Sequence, residues 1–277
     1  MCTVSWHFSD RGLDLFFNRD ESLTRPEAEP PVVEQQGDVN TLMPRDPVGG
    51  GSWLAANNRG LILALLNNYR YPTKISSDQA LSRGLLVRRL SALESIAGVR
   101  KFLADEILAL YPPFFLLVFE DCQRGPVQWE WDGETLKETW DMVESPISTS
   151  SLMPRLVPAL RQYLMRRALR RTDRNRTAST LLALHRASRP WPATVTVAMK
   201  RKGSATVSLT HVRVTPDDIA MRYWPGHPSE SASREPQETI LTRGCSPSNR
   251  SVGTEPFVTN ARQGCPCFKD LHEGSTP

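Results

Sequence analysis

No apolar run among the 277 residues approaches the ~20 positions a membrane-spanning helix needs; the longest, Leu61–Leu66 and Phe114–Phe119, stop far short. Met1–Phe8 lacks a basic start and a long apolar core, so no secretory leader is expected. Cysteine is sparse and odd in number, at positions 2, 122, 245, 265 and 267. An uneven, irregularly spaced set does not make a disulfide scaffold, and a reducing, cytoplasmic compartment is the expectation. The five histidines (7, 185, 211, 227 and 272) have no ligand spacing, and Cys265-Pro266-Cys267 has no second pair to complete a zinc site. No metal and no cofactor is expected. Gly49-Gly50-Gly51 lacks the lysine and helix start of a phosphate loop. Net charge is only +4, too small an excess to imply nucleic acid. Lysine is scarce, so the basic side chains are mostly arginine.

What is present suits a soluble globular chain with a substantial core, 39% hydrophobic and 23% charged. Cys2–Phe8 alternates as a half-buried strand, with Cys2, Val4, Trp6 and Phe8 on one side. Ser9-Asp10-Arg11-Gly12 reads as a turn and Leu13–Phe17 as the returning strand. Thr24–Asp46 reads as a long polar, Pro-containing surface loop. Ser52–Ala56 and Leu61–Leu66 read as strands, the second apolar on both faces and therefore deep. Helical spacing begins at Ser82 (Leu85, Leu86, Leu90, Leu93), and Val99–Leu110 reads as a second helix stopped by Pro112-Pro113. Phe114–Glu120, Val127–Trp131 and Thr135–Trp140 read as strands. Arg155–Arg171 reads as a helix with Leu156, Leu160, Leu164 and Ala168 on its core face and a solvated basic face opposite. Thr177–Arg186 reads as another helix. Thr194–Met199, Thr206–Arg213 and Ile219–Trp224 complete the strands. Strand runs and helix runs are segregated, which predicts an α+β layered architecture with antiparallel sheets. One domain over residues 1–228 and a disordered Pro/Ser/Gly-rich tail over 229–277 are expected.

The chemistry-bearing feature is Cys2 together with Asn18-Arg19-Asp20-Glu21 one hairpin later. Removal of Met1 would leave Cys2 carrying a thiol and a free α-amine, with ordinary pKa values of about 8.5 and 7.7–8.0. The amine then serves as the thiol's own general base. The hairpin brings the Arg19-Asp20 segment back towards Cys2, and a guanidinium nearby favours the thiolate.

Met1-Cys2, Asn18-Arg19-Asp20-Glu21 with Arg25-Pro26, Gly50-Gly51-Ser52-Trp53-Leu54, Asn68-Tyr69-Arg70 and Ser82-Arg83-Gly84 occur in order. Thr206-Val207-Ser208 and Met221-Arg222-Tyr223-Trp224 follow. Over roughly residues 1–228 these landmarks resemble the NRDE family, to which the transport and Golgi organisation protein 2 group belongs. More distantly, the layout is similar to the choloylglycine hydrolase and penicillin V acylase group. That resemblance implies a four-layer αββα sandwich. It also implies a catalytic set of Cys2, Arg19, Asp20 and Asn68, with Asn18, Asn67 and Trp53 contacting substrate. Cys2 is the expected nucleophile, Arg19 the holder of the thiolate or substrate oxygen, Asp20 the orienter of the α-amine and Asn68, with Asn67 as the alternative, the oxyanion donor. Thr149 stands where the family pattern has an asparagine.

Two functions follow from the resemblance. One is an N-terminal-cysteine hydrolase acting on carbon–nitrogen amide bonds. The other is a non-enzymatic protein that handles haem, lipid or acyl chains in trafficking or in secretory organisation. The expected partner is a small-molecule amide, haem or an acyl-chain ligand, with no nucleic acid and no membrane span. The arginines between Arg161 and Arg176 are read first as a solvated helix face; the alternative is a surface for phosphate or an acidic partner, which would make the basic helix an interaction module.

Overall fold

The structure is a computed structural model and describes residues 2–120, 125–140, 142–189, 192 and 195–244. The strands are β1 (Cys2–Ser9), β2 (Gly12–Ser22), β3 (Glu29–Gln36), β4 (Val39–Arg45), β5 (Leu54–Asn57), β6 (Ile62–Asn67), β7 (Phe114–Phe119), β8 (Val127–Trp131), β9 (Leu136–Thr139), β10 (Ile147–Ser148), β11 (Lys200–Arg201), β12 (Ser204–Val214), β13 (Asp218–Pro225) and β14 (Gln237–Thr242). The helices are α1 (Arg83–Leu90), α2 (Ile96–Asp105), α3 (Leu156–Leu169) and α4 (Thr177–Arg186).

Two antiparallel sheets result. One runs β10-β1-β2-β12-β13-β14 with β11 on β12, and the other is the meander β3 to β9 in sequence order. Strand alternation sorts the side chains into three interiors. Val4, Trp6, Leu15 and Phe17 meet Leu54, Ala56, Ala64, Leu117 and Phe119 between the sheets. Ala55, Leu63, Leu65, Leu116 and Val118 face the other way, onto Leu86, Leu90, Val99 and Leu103 of α1 and α2. Phe16 faces Met165 of α3 and Leu181 of α4. The layers are therefore helix, sheet, sheet, helix, the αββα order expected from the resemblance.

Several readings change. β1 is buried on both faces over its first five residues, because α4 covers the side that sequence alternation leaves polar. Thr24–Asp46 contains the β3–β4 hairpin, turned at Gly37 with φ 62°. Pro30 and Pro31 are tolerated because β3 is an edge strand. Thr194–Met199 forms no strand over its described part; Met199 N–H instead bonds the Thr206 hydroxyl at 2.9 Å. The boundary expected at 228 falls inside the first sheet, since Gln237–Thr242 pairs with β13 in register Ile219↔Leu241. Cys122, Cys245, Cys265, Cys267 and positions 245–277 lie outside the described residues.

α1 crosses the segment before β5 almost backbone to backbone. Ser52 N–H donates to Gly84 carbonyl at 3.1 Å, and a Cβ on Gly51 would sit 2.1 Å from the Gly84 carbonyl carbon. Only glycine permits that approach, and it places Trp53 and Arg83 on either side of the crossing.

Candidate active site

The β1–β2 register sets Cys2 opposite Arg19 and Thr3 opposite Asn18. Directly opposed residues carry their Cβ atoms about 4.5–5.5 Å apart on the same sheet face, so Cys2 and Arg19 share the face turned towards the second sheet. Arg19 is 5% exposed. Its guanidinium lies 4.2 Å from the centre of the Trp53 ring, with Asp46 and Glu21 oxygens at 3.7 and 3.6 Å. Asp46 also accepts from Arg25 Nε at 3.2 Å. Burial pushes the Asp46 carboxyl up, but the Arg25 hydrogen bond and the charges of Arg25 and Arg19 outweigh it and hold the group below the usual range.

Asp20 points to the opposite face, into the α3 layer. It accepts from the Thr206 hydroxyl at 2.6 Å, and its other oxygen lies 3.7 Å from Arg161 Nη1. The register of β12 on β2 shifts between Thr206 and Ser208. Bulges of this kind re-aim side chains beside sites, and this one brings Thr206 onto Asp20. Burial raises the Asp20 carboxyl's pKa, opposed first by the Arg161 charge.

Cys2 itself is buried. Its backbone N–H donates to Thr149 Oγ1 at 3.2 Å, and Thr149 N–H returns a bond to the Cys2 carbonyl at 2.9 Å. Burial raises the thiol pKa. The charge of the chain's amino terminus, a backbone hydrogen bond from Asp20 and the charge of Arg19 pull it down, while the Asp20 charge pushes it up. Thr149, marked in the sequence by a missing amide, thus supplies the acceptor for the Cys2 nitrogen. A cleft of about 340 Å³ is lined by Glu21, Arg25, Ala28, Thr206, Val207 and His227; it reaches the site through Glu21 and Thr206, and neither Cys2 nor Thr149 lines it.

Other expected residues sit differently. Asn68 donates Nδ2 to Glu130 Oε1 at 3.1 Å and accepts from Arg70 N–H at 3.2 Å; among the described hydrogen bonds none joins it to Cys2. Asn67 donates to the Tyr69 hydroxyl at 2.9 Å. Asn18 faces away from Cys2 and is fully buried. It donates to the carbonyls of His185 and Val197 and holds His185 Nδ1 at 2.9 Å, so it clamps α4 to the sheet. Its side-chain amide is therefore engaged within the fold rather than turned towards Cys2. Trp53, by contrast, has a buried indole Nε1 with no hydrogen-bond partner among the described residues.

Two participants escape the sequence reading. Arg161 looks like one of many basic residues on a solvated helix. The signal was its i+4 spacing from Val157 and to Met165, both buried with it. Arg201 donates to Ser150 at 3.1 Å from the two-residue strand β11, whose sequence carries no strand pattern. Among the described residues, no cluster of His, Cys, Asp and Glu could hold a metal ion.

An αββα sandwich with a cysteine opening its first strand, opposite an arginine and next to a buried aspartate, defines the class of protein. The model of the family Transport and Golgi organisation 2 matches residues 1–152, and the chain belongs to that family. Among solved structures it is similar to penicillin V acylase from Agrobacterium tumefaciens, at 10% identity over 87% of this chain and 86% of that one, TM-score 0.49. A mutant conjugated bile acid hydrolase from Clostridium perfringens is similar at 13% identity over 91% and 100%, TM-score 0.49. An N-acylethanolamine-hydrolyzing acid amidase ortholog from Caenorhabditis elegans is similar at 10% identity over 76% and 92%, TM-score 0.43. No curated protein matches the sequence. No described helix is long and apolar enough to cross a membrane.

Proposed function

We propose that the chain is an N-terminal-cysteine hydrolase of carbon–nitrogen amide bonds, with Cys2 freed by loss of Met1. The observation that carries this reading is the pairing of Cys2 with Arg19 on one sheet face while the Cys2 nitrogen rests on the Thr149 hydroxyl. As long as that nitrogen is a peptide, the buried thiol has no base and its pKa is raised. Once it is an amine, sulfur and base belong to one residue.

The thiol proton passes to the amine as Sγ attacks the amide carbon. The C–S bond forms and the carbonyl π electrons move onto oxygen. Collapse breaks the C–N bond, and the α-ammonium returns the proton to the leaving amine. Water, deprotonated by the same α-amine, then cleaves the thioester and regenerates the thiol. Arg19 stabilises developing negative charge near the sulfur, and Asp20 favours the ammonium form between steps. The unpartnered Trp53 Nε1–H is the donor best suited to a substrate oxygen, since a buried donor left unsatisfied is costly without a ligand.

A second reading, a binding protein that holds haem or an acyl chain, is favoured by one observation. The Asn68 amide expected at the oxyanion is engaged by Glu130.

Cys2→Ser and the parent, assayed on a panel of N-acyl amides, separate the two. The hydrolase reading expects turnover by the parent and its loss in the variant. Equal turnover, or none by either together with a saturable haem absorbance change, overturns it.

A further inference from the structure

The phase of α3 is set by Arg161. Its Nε donates to the Val195 carbonyl at 3.1 Å, its Nη1 to Ser148 Oγ at 3.3 Å, and Asp20 lies across from it. With Arg161, Val157, Pro158 and Met165 turned inward, Leu156 and Leu160, two of the residues expected on the core face, are turned outward, while Leu164 and Ala168 stay half-buried. Met153 is 54% exposed, Leu156 57%, Leu160 37% and Tyr163 58%.

At about 100° per residue, Leu156, Leu160 and Tyr163 fall within roughly 60° of one another, on the side away from the core. Arg167, Arg170 and Arg171 continue the same stripe one to two turns further on. Among the described residues none of these three arginines has a carboxylate partner, and α3 contains no acidic residue. The outward face is therefore apolar for its first two turns and cationic beyond.

We infer that this face docks in the plane of an anionic lipid surface. Leu156, Leu160 and Tyr163 would enter the headgroup region, and Arg167, Arg170 and Arg171 would reach phosphates from stems lying along the interface. The charge pattern selects this occupant: unpaired guanidiniums beside apolar side chains complement a negatively charged surface with an apolar layer beneath it. A second copy of the chain fits less well. The apolar part is about two turns, roughly 10 Å, long, and the side chains on it are too few to supply the about 800 Å² per partner of a stable interface.

The test is co-sedimentation of the full chain with vesicles of phosphatidylcholine alone and of an equimolar mixture with phosphatidylglycerol. Binding to the mixture only, weakened by salt, is expected. The triple variant Arg167→Gln, Arg170→Gln, Arg171→Gln should lower partitioning on the order of a hundredfold. Leu156→Ser with Leu160→Ser should lower it about tenfold or more. Both variants should keep the parent's thermal midpoint. Equal binding to both vesicle types, no binding to either, or a parent dimer that Leu156→Ser dissociates would overturn the inference.

Discussion

Arg161 on α3 and Asp20 on β2 form an ion pair whose side chains are both fully withdrawn from solvent, at 3.7 Å. The pair joins the helical layer to the strand that carries Arg19. Removing one partner leaves a buried charge, so Arg161→Met should destabilise the fold by about 3–5 kcal/mol. Arg161→Met with Asp20→Leu should recover much of that loss, because no isolated charge remains. Urea unfolding of the two variants checks the order.

His185 is completely buried. Its Nε2 lies 2.7 Å from Ser5 Oγ and its Nδ1 2.9 Å from Asn18 Oδ1, which suits a neutral ring with its proton on Nδ1. Burial, then the His211 charge, lowers its pKa to about 3. The folded pKa lies below the unfolded value near 6.5, so the neutral ring's contribution is fully present above pH 6.5. It is lost as pH falls, because only the unfolded chain takes up the proton. Between pH 7 and pH 5 this group alone should lower stability by about 2 kcal/mol. His185→Gln, compared with the parent by unfolding at both pH values, should lose that part of the dependence.

Gly51 has no room for a side chain against Gly84. Gly51→Ala should destabilise by at least about 2 kcal/mol and move the indole under Arg19. Calorimetry reads the first effect, and Trp fluorescence at matched folded fraction reads the second.

Thr149→Val removes the acceptor for the Cys2 nitrogen, and Thr149→Ser keeps it. On an amide substrate the valine variant should lose about tenfold or more in kcat while the serine variant stays near the parent. Trp53→Phe keeps the platform beneath Arg19 but deletes Nε1–H, and should raise KM or lower kcat by the worth of one hydrogen bond, about tenfold.

Much of the layering was legible because alternation and helical spacing report which faces are apolar. The central strands Leu61–Leu66 and Phe114–Phe119 left no other reading. What the sequence hid follows from partners distant in the chain. β3 is largely exposed and polar because it is an edge strand, while its partner β4 buries Val39, Leu42 and Met43. Leu156 and Leu160 point outward because Arg161 is anchored by Asp20, by the Val195 carbonyl and by the Ser148 hydroxyl. The pairing of Cys2 with Arg19 was legible, since a tight hairpin at Ser9–Gly12 fixes the register. Asn18, one residue earlier and expected at the substrate, is sent by the same alternation through the sheet to His185. Asn68 was placed near the right strand end, but its partner Glu130 comes from β8, sixty-two positions later.

The central claim is that sulfur and base reside on one residue, and intact-mass measurement with amino-terminal sequencing of the active protein tests it most directly. The account predicts a chain that begins at Cys2. A fully active protein that retains Met1 would contradict it.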